Sequence, residues 1–365
     1  MAETLASVRT RFEYNGRTAQ VTGIVIGNLL LSIPSLGFYR FWGKTRLRRY
    51  VWSHIEYLGE RVEYTGTGLE LFVGFLVGLA VLVPYAGISA IVQSQVESGN
   101  GQIIAQIIGL IILFFLIHVA QYRARRYRLN RTNWRGIRGG QTGAAWRYGL
   151  AGVSLMALSI LTLGLTVPLS RTVLQNLRTS NTWFGDRCLS FEARTGMLMP
   201  YWLLCWILFV PSIGFSYLWY QAKEFRVFTA HTQFGGLSFE SDLTGASLLR
   251  VVGLYLLSLI VIVIIILIPY FWVDLTALSP EQIKAAGEIP EELVSPIIAS
   301  SILTGVGLAL LGSVQRIIAL QSLLPLVFSR LAVIGTVDFE AIIQSQQEKL
   351  SRGEGLADAF DVGEF

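Results

Sequence analysis

The chain predicts a polytopic α-helical membrane protein with about seven apolar segments. Repeated short strands and basic interfacial helices between them would form a cytoplasmic α+β cap. Three observations predict it. Of 365 residues, 53% are hydrophobic and only 15% charged, with mean hydropathy +0.54; a soluble domain carries about 25% charged residues. Three runs, 71–92, 103–120 and 251–273, contain no Asp, Glu, Lys or Arg, and roughly 20 such residues span a bilayer. Finally, one short phrase is rewritten before successive apolar runs.

The apolar segments are 19–38, 69–93, 103–121, 147–169, 197–219, 247–273 and 296–327. The last is too long for one span and contains Arg316 and Pro325. It predicts a span near 296–315 and a helix continuing into the interface. Pro168, Pro200 and Pro211 predict breaks in the fourth and fifth segments. The polar start, with Arg9, Arg11 and Arg17, lacks a small-residue cleavage site before the first run, so an uncleaved anchor is expected. Cys188 and Cys205 give no disulfide framework.

The repeated phrase reads RFEYNG (11–16), RVEYTG (61–66), RGGQTG (138–143), LSFEARTG (189–196) and LSFESDLTG (237–245), with a weaker VDFEA at 337–341. Five copies carry a glutamate after an apolar or aromatic residue: Glu13, Glu63, Glu192, Glu240 and Glu340. Upstream of each internal copy lies a cation-bearing helical stretch ending in an aromatic–glycine pair: Tyr57/Gly59, Trp134/Gly136, Phe184/Gly185 and Phe234/Gly235. Glycine there ends a helix and starts a turn, and the alternating run that follows reads as a strand. The unit is strand, membrane segment, basic helix, turn, next strand. Repeats of about 10–60, 61–136, 137–185, 186–235 and 236–341 make one integral-membrane domain. Residues 342–365 form an acidic, amphipathic tail.

Topology leaves two arrangements. If every segment crosses once, the repeats divide between the two membrane faces. If they form one sheet, 19–38, 147–169 and 197–219 must re-enter and return. Charge places 122–146, with seven Arg and no acid, in the cytoplasm, and the links 94–102 and 274–296 outside. Four arginines in 170–196 favour the one-sided arrangement. Against it, lipid tolerates irregular backbone only where protein or water covers it.

The segments FEYNG (12–16), NLLLSIPSLGFYRFWGKTRLRRY (28–50), VEYTGTGLELF (62–72) and the tail GEGLADAFDVG (353–363) resemble the YjgN-like family of bacterial inner-membrane proteins. The family's usual Thr-Leu-Gly-Ile-Tyr stands here as Ser35–Tyr39, SLGFY. The resemblance implies a multi-pass inner-membrane protein; by charge its basic loops, and with them the C-terminus, are expected in the cytoplasm. It supplies no substrate and no catalytic residue.

Sites are sparse. Lys44, Arg46, Arg48 and Arg49, among Tyr39, Phe41, Trp42 and Tyr50, and then Arg123, Arg125, Arg126 and Arg128, are candidates to hold anionic headgroups. The alternative is that these cations only set topology. His54 and His231 occupy one repeat position, with Asn181 and Arg131 in the other copies, and read as a repeated polar contact rather than a dyad. His118 and Glu70 are polar groups near the ends of apolar segments. The repeated glutamates predict either an ion-pair lattice with Arg61, Arg187 and Arg194 or a ligand site. The small-residue pairs Gly23/Gly27 and Gly74/Gly78 predict close helix packing. No metal, nucleotide or nucleophile motif is present, so no cofactor and no enzyme activity are expected. The net charge of +5 abuts membrane segments, which points to membrane lipids rather than nucleic acid. A homo-oligomer or protein partner stays open. Broken segments and internal repeats put a transporter or channel first. A scaffold binding anionic lipid or protein comes second, and a membrane enzyme third.

Overall fold

The computed structural model describes residues 9–96, 99–272, 291–339 and 341–344. Its described chain is built on one unit: a returning helix, a three-residue strand, a two-residue turn, a five-residue strand and an outgoing helix. In the first unit these are α2 (Arg40–Ser53), β3 (Ile55–Tyr57), β4 (Glu60–Tyr64) and α3 (Gly68–Gln95). The second is α4 (Gly99–Asn130), β5 (Thr132–Trp134), β6 (Ile137–Gln141) and α5 (Ala145–Leu161). The third is α6 (Val167–Thr179), β7 (Thr182–Phe184), β8 (Arg187–Phe191) and α7 (Thr195–Leu208). The fourth is α8 (Phe215–Ala230), β9 (Thr232–Phe234), β10 (Leu237–Ser241) and α9 (Gly245–Trp272).

The chain ends supply the fifth unit. Its returning helix is α10 (Glu291–Ile318), which continues through a π-helical turn (Ala319–Leu323) into α11 (Leu324–Ser329) and β11 (Leu331–Gly335). Its long strand comes from the N-terminus as β1 (Arg9–Arg11) and β2 (Glu13–Tyr14), and leads into α1 (Thr18–Ser32). Strand β1 pairs with β11 through Thr10↔Val333, and β2 pairs with β3 through Glu13↔Glu56. The sheet order runs from β1 through β11 and down to β2, so a single break at Phe12 separates the two ends and the sheet closes as a ring. Closure removes the exposed edges that would otherwise invite pairing with other chains.

One latch repeats in all five units. The residue just before the strand that follows each returning helix offers its carbonyl to the first residue beyond the long strand which that strand pairs with. The N–H groups of Asn15, Thr65, Thr142, Glu192 and Asp242 donate to His54, Arg131, Asn181, His231 and Arg330 at 2.8–3.2 Å. The ring centre holds one aromatic from each internal short strand, Tyr57, Trp134, Phe184 and Phe234, at successive centroid distances of 5.7, 6.0 and 6.1 Å. Residues after β11 fold over this cluster. Phe339 lies edge-on to Trp134 at 5.0 Å, Ile342 is buried, and Gln344 accepts from the Arg138 N–H at 2.8 Å. The core thus extends past position 341, where the sequence drew the start of a separate tail. Residues 345–365 lie outside the described residues.

Both ends of every helix pair join this ring, and each helix packs on its chain neighbours, with α1 closing on α10. The arrangement with every segment crossing once is therefore excluded, because it would pull apart strands that pair. Four helices are long and apolar enough to cross a membrane: Gly68–Gln95, Gly99–Asn130, the stretch from Gly245, and Ile298–Ser329. They form two long hairpins. The apolar helices α1, α5 and α7 have 15, 17 and 14 residues. At ~1.5 Å per residue they reach about 21–26 Å, short of a ~30 Å hydrocarbon core.

These three helices turn back through one tip: Ser35-Leu36-Gly37-Phe38, Thr162-Leu163-Gly164-Leu165 and Ser212-Ile213-Gly214-Phe215. In each, the apolar residue and the glycine both have positive φ (Leu36 50°, Gly37 84°; Leu163 51°, Gly164 85°; Ile213 51°, Gly214 81°). Glycine accepts that conformation without a Cβ clash, whereas Ile213 does not do so easily. Each glycine N–H donates to the carbonyl five residues back, at 2.6–2.8 Å. The hydroxyls of Ser35, Thr162 and Ser212 also return to helix carbonyls. Backbone polar groups are thereby satisfied where water is scarce. At the tips Leu36 is 88% exposed, Leu163 77% and Ile213 88%, the expected state of residues solvated by lipid. Gly74 and Gly78 are buried on α3, but Gly23 and Gly27 face open space, so the first small-residue pair is not a packing seam here.

Candidate functional site

The structure separates the basic candidates. Arg46, Arg49 and Arg123 are exposed, and Lys44, Arg126 and Arg128 are half-buried. Arg48 and Arg125, which occupy the same position in successive units, turn inward instead. Arg48 is 2% exposed, with its guanidinium over the Tyr64 ring at 5.8 Å. Arg125 donates to Gln141, Thr182 and the Arg178 carbonyl at 3.1, 2.7 and 3.1 Å. Both are removed from the headgroup surface because their helix face points at the inner side of the strands.

The exposed pair lines a cleft. Tyr39, Trp42, Thr45, Arg46 and Arg49 of the first returning helix and its approach face Thr67, Gly68 and Leu69 at the start of α3, around about 390 Å³. A Cβ on Gly68 would stand 2.8 Å from the Trp42 ring, so the close approach of helix and indole needs glycine there. Arg49 is oriented by donating to the Gly66 carbonyl at 2.9 Å. Thr67 caps α3 by accepting from the Glu70 N–H, and the helix N-terminus adds partial positive charge. The cleft recurs in the fourth unit between Trp219 and Gly245, with Phe215, Leu218, Ala246 and Leu249, around about 350 Å³. There Lys223 occupies the Arg46 position and lies 4.8 Å from the Tyr201 ring.

The remaining polar positions are structural. The Nδ1 of His54 donates to the Tyr50 carbonyl at 2.7 Å, His231 to Val227 at 2.8 Å, and Asn181 Nδ2 to Leu177 at 2.7 Å. Each occupies a helix-end carbonyl that has lost its backbone partner. Arg131 instead reaches Glu70 at 2.8 Å, and the other Glu70 oxygen accepts from Tyr127 at 2.8 Å. The acid at the head of an apolar segment thus pins the first unit to the second. Both ion-pair side chains are largely buried, 11% and 20% exposed. Glu70→Ala should therefore cost about 2–3 kcal/mol in denaturant unfolding, the value of a broken, partly buried charged hydrogen bond. His118 bonds within α4 to Phe114 and fills the space left by Gly152 on α5.

Glu13, Glu63 and Glu240 lie exposed on the outer face of the ring, away from its aromatic centre. Glu192 is not their equivalent. The strand ladder sets Ser190 opposite Gln233 and leaves Glu192 two residues beyond, level with Asn15 and Thr65. Glu340 lies outside the described residues. Arg9 approaches Glu240 at 3.9 Å, with both more than half exposed. Among the described residues, Arg61, Arg187 and Arg194 pair with none of these glutamates, so the expected lattice does not form. Like charges even oppose each other at Glu13 and Glu56.

Glu224 carries no motif in the sequence, yet the fold buries it. It is 9% exposed and replaces the apolar Leu47, Ala124, Leu174 and Leu323 of the other units. Burial pushes its carboxyl up, while Arg171 at 3.9 Å and the nearby Tyr220 hydroxyl pull the other way. Because the folded state holds this proton more tightly, the stability Glu224 contributes falls as pH rises through the carboxylate range. Glu224→Gln should flatten that fall in thermal unfolding measured from pH 4 to 8. Among the described residues no group of three His, Cys, Asp or Glu could hold a metal ion.

The class is then a membrane-type helical chain, four of whose helices are long and apolar enough to span, crowned by a closed sheet of repeated units. The family profile described as bacterial protein of unknown function, DUF898, matches residues 9–217. The chain belongs to this family, the same YjgN-like family its N-terminal motifs resemble. No curated protein and no solved structure matches it.

Proposed function

We propose that the protein is a bacterial inner-membrane scaffold that gathers anionic phospholipid around a cytoplasmic ring. The observation that carries this reading is the Trp42–Gly68 cleft with Arg46 and Arg49 at its edge. Trp and Tyr favour headgroup depth. A helix N-terminus and two arginines suit a phosphate; the same Trp–Gly geometry recurs in the fourth unit, lined there by apolar residues only. Positive charge concentrated on the ring side favours the cytoplasmic leaflet.

Transport remains the competing reading, favoured by the closed circuit of helices. Against it, the sheet centre is filled by Trp134, Phe184, Phe234 and Phe339, and the long helices expose apolar residues. Enzyme activity has no support from a nucleophile–base set, and a homo-oligomer or protein partner has none beyond the exposed surface itself.

Retention of labelled phosphatidylglycerol after detergent exchange tests the scaffold. Each arginine near an anionic surface contributes about 1 kcal/mol, so Arg46→Gln with Arg49→Gln should weaken retention by roughly 25-fold. Retention unchanged in that variant, or solute flux in proteoliposomes, sinks the proposal.

A further inference from the structure

A second basic cluster lies deeper, between the second and third units. The strand ladder brings β6 and β7 together through Gln141↔Thr182, and α4, α5 and α6 arrive above them. Arg125 of α4 uses Nη1 to reach Gln141 Oε1, Thr182 Oγ1 and the Arg178 carbonyl. Arg178 of α6 stacks on Tyr148 of α5, its guanidinium carbon 5.1 Å from the ring centroid. The two guanidinium groups lie within electrostatic reach of each other and of the Tyr148 hydroxyl. Among the described residues, neither is paired with a carboxylate. Two half-buried cations side by side without a counter-charge are costly.

The neutral groups around them are also left incomplete. Gln141 is 3% exposed and its Nε2 has no hydrogen-bond partner. Its amide cannot be turned over to cure this, because a guanidinium only donates and Arg125 requires the carbonyl oxygen. Tyr148 is 1% exposed, and its hydroxyl faces the Arg178 guanidinium, which only donates, so the hydroxyl proton is left without an acceptor. Buried donors without acceptors are costly. Here they collect at one place, from β6 and α5, beside two arginines from α4 and α6.

We infer that Arg125, Arg178, Gln141 and Tyr148 form a binding site for a single phosphate group, distinct from the surface cleft of Arg46 and Arg49. Donors gathered from four chain segments with no carboxylate among them suit a tetrahedral oxyanion, which accepts in every direction, better than the single plane of a carboxylate. The phosphate is either free in the cytoplasm or carried on a lipid with an uncrowded headgroup. The site stands whether or not the surface cleft binds lipid.

The test uses the full-length protein, with thermal unfolding as readout. One arm adds inorganic phosphate to the protein in phosphate-free detergent micelles. The other compares phosphatidylcholine nanodiscs with and without phosphatidate, using an Arg46→Gln/Arg49→Gln background so that the surface cleft does not respond. Stabilisation in the first arm identifies free phosphate; stabilisation confined to the second identifies the lipid. Arg178→Gln should weaken the response by about tenfold or more, the value of one charged hydrogen bond. Gln141→Glu supplies a tethered anion, so it should fold at least as stably as the natural chain and lose the response. No stabilisation in either arm overturns the inference. So does a response that survives Arg178→Gln intact, or a Gln141→Glu protein that is less stable than the natural one.

Discussion

Membrane-impermeant maleimide should label Cys188 in inside-out vesicles and leave it unlabelled in intact spheroplasts. Cys188 is exposed on β8 and Cys205 is buried, so the natural chain reports without engineering. The expectation has two separable parts. The ring requires that Asn133→Cys on β5 and Cys188 react from the same side, because β5 pairs with β6, β6 with β7 and β7 with β8. The orientation requires that this side be the cytoplasm, where arginines on membrane-flanking segments accumulate. Opposite accessibility of the two positions would refute the closed sheet. Shared accessibility from the periplasm alone would refute only the orientation, and with it the proposed lipid leaflet. The effect is all-or-none, since a bilayer blocks the reagent completely.

Trp134→Ala should be the most damaging single substitution in the ring, at about 3–5 kcal/mol for a large aromatic truncated in a packed core. Trp134 touches Tyr57, Phe184 and Phe339 at centroid distances of 5.7, 6.0 and 5.0 Å, and its Nε1 donates to the Glu60 carbonyl at 3.3 Å. The void would therefore open against three rings from separate parts of the chain. Chemical unfolding followed by protease resistance of the strands measures the loss. Trp134→Phe keeps most of the ring contact and should recover most of the stability. Equal damage from both substitutions would mean the indole hydrogen bond, not packing, holds the centre.

The apolar segments, the strand-and-basic-helix unit and its aromatic–glycine turns were legible because each is a local pattern. Period-two alternation marks a strand, a long uncharged run marks a membrane helix, and glycine after an aromatic marks the turn. The tip of the three short hairpins was equally local, as SLGF, TLGL and SIGF, yet only its first copy drew attention through the family resemblance. Comparing the middles of the fourth and fifth apolar segments with the first would have found it. The glutamates misled for a related reason. They were matched by the apolar or aromatic residue before each, whereas strand register is set by backbone pairing, and Glu192 stands two residues out of step.

The inward turn of Arg48 and Arg125 was not readable at all. Both sit in runs of arginine where neighbours such as Arg46, Arg49 and Arg123 do face outward. A helix face becomes inner or outer only when the ring closes beneath it.

The sequence by itself determined the membrane class, the places where helices and strands begin, and the fact that one unit recurs, since these follow from hydrophobicity and backbone preference over a few residues. Tertiary structure alone decided that the fifth unit joins the two chain ends, that the short helices turn back, and which cations lose their solvent. Those outcomes depend on hydrogen bonds between strands more than 300 residues apart, such as Thr10 and Val333, and no local pattern encodes a partner at that distance.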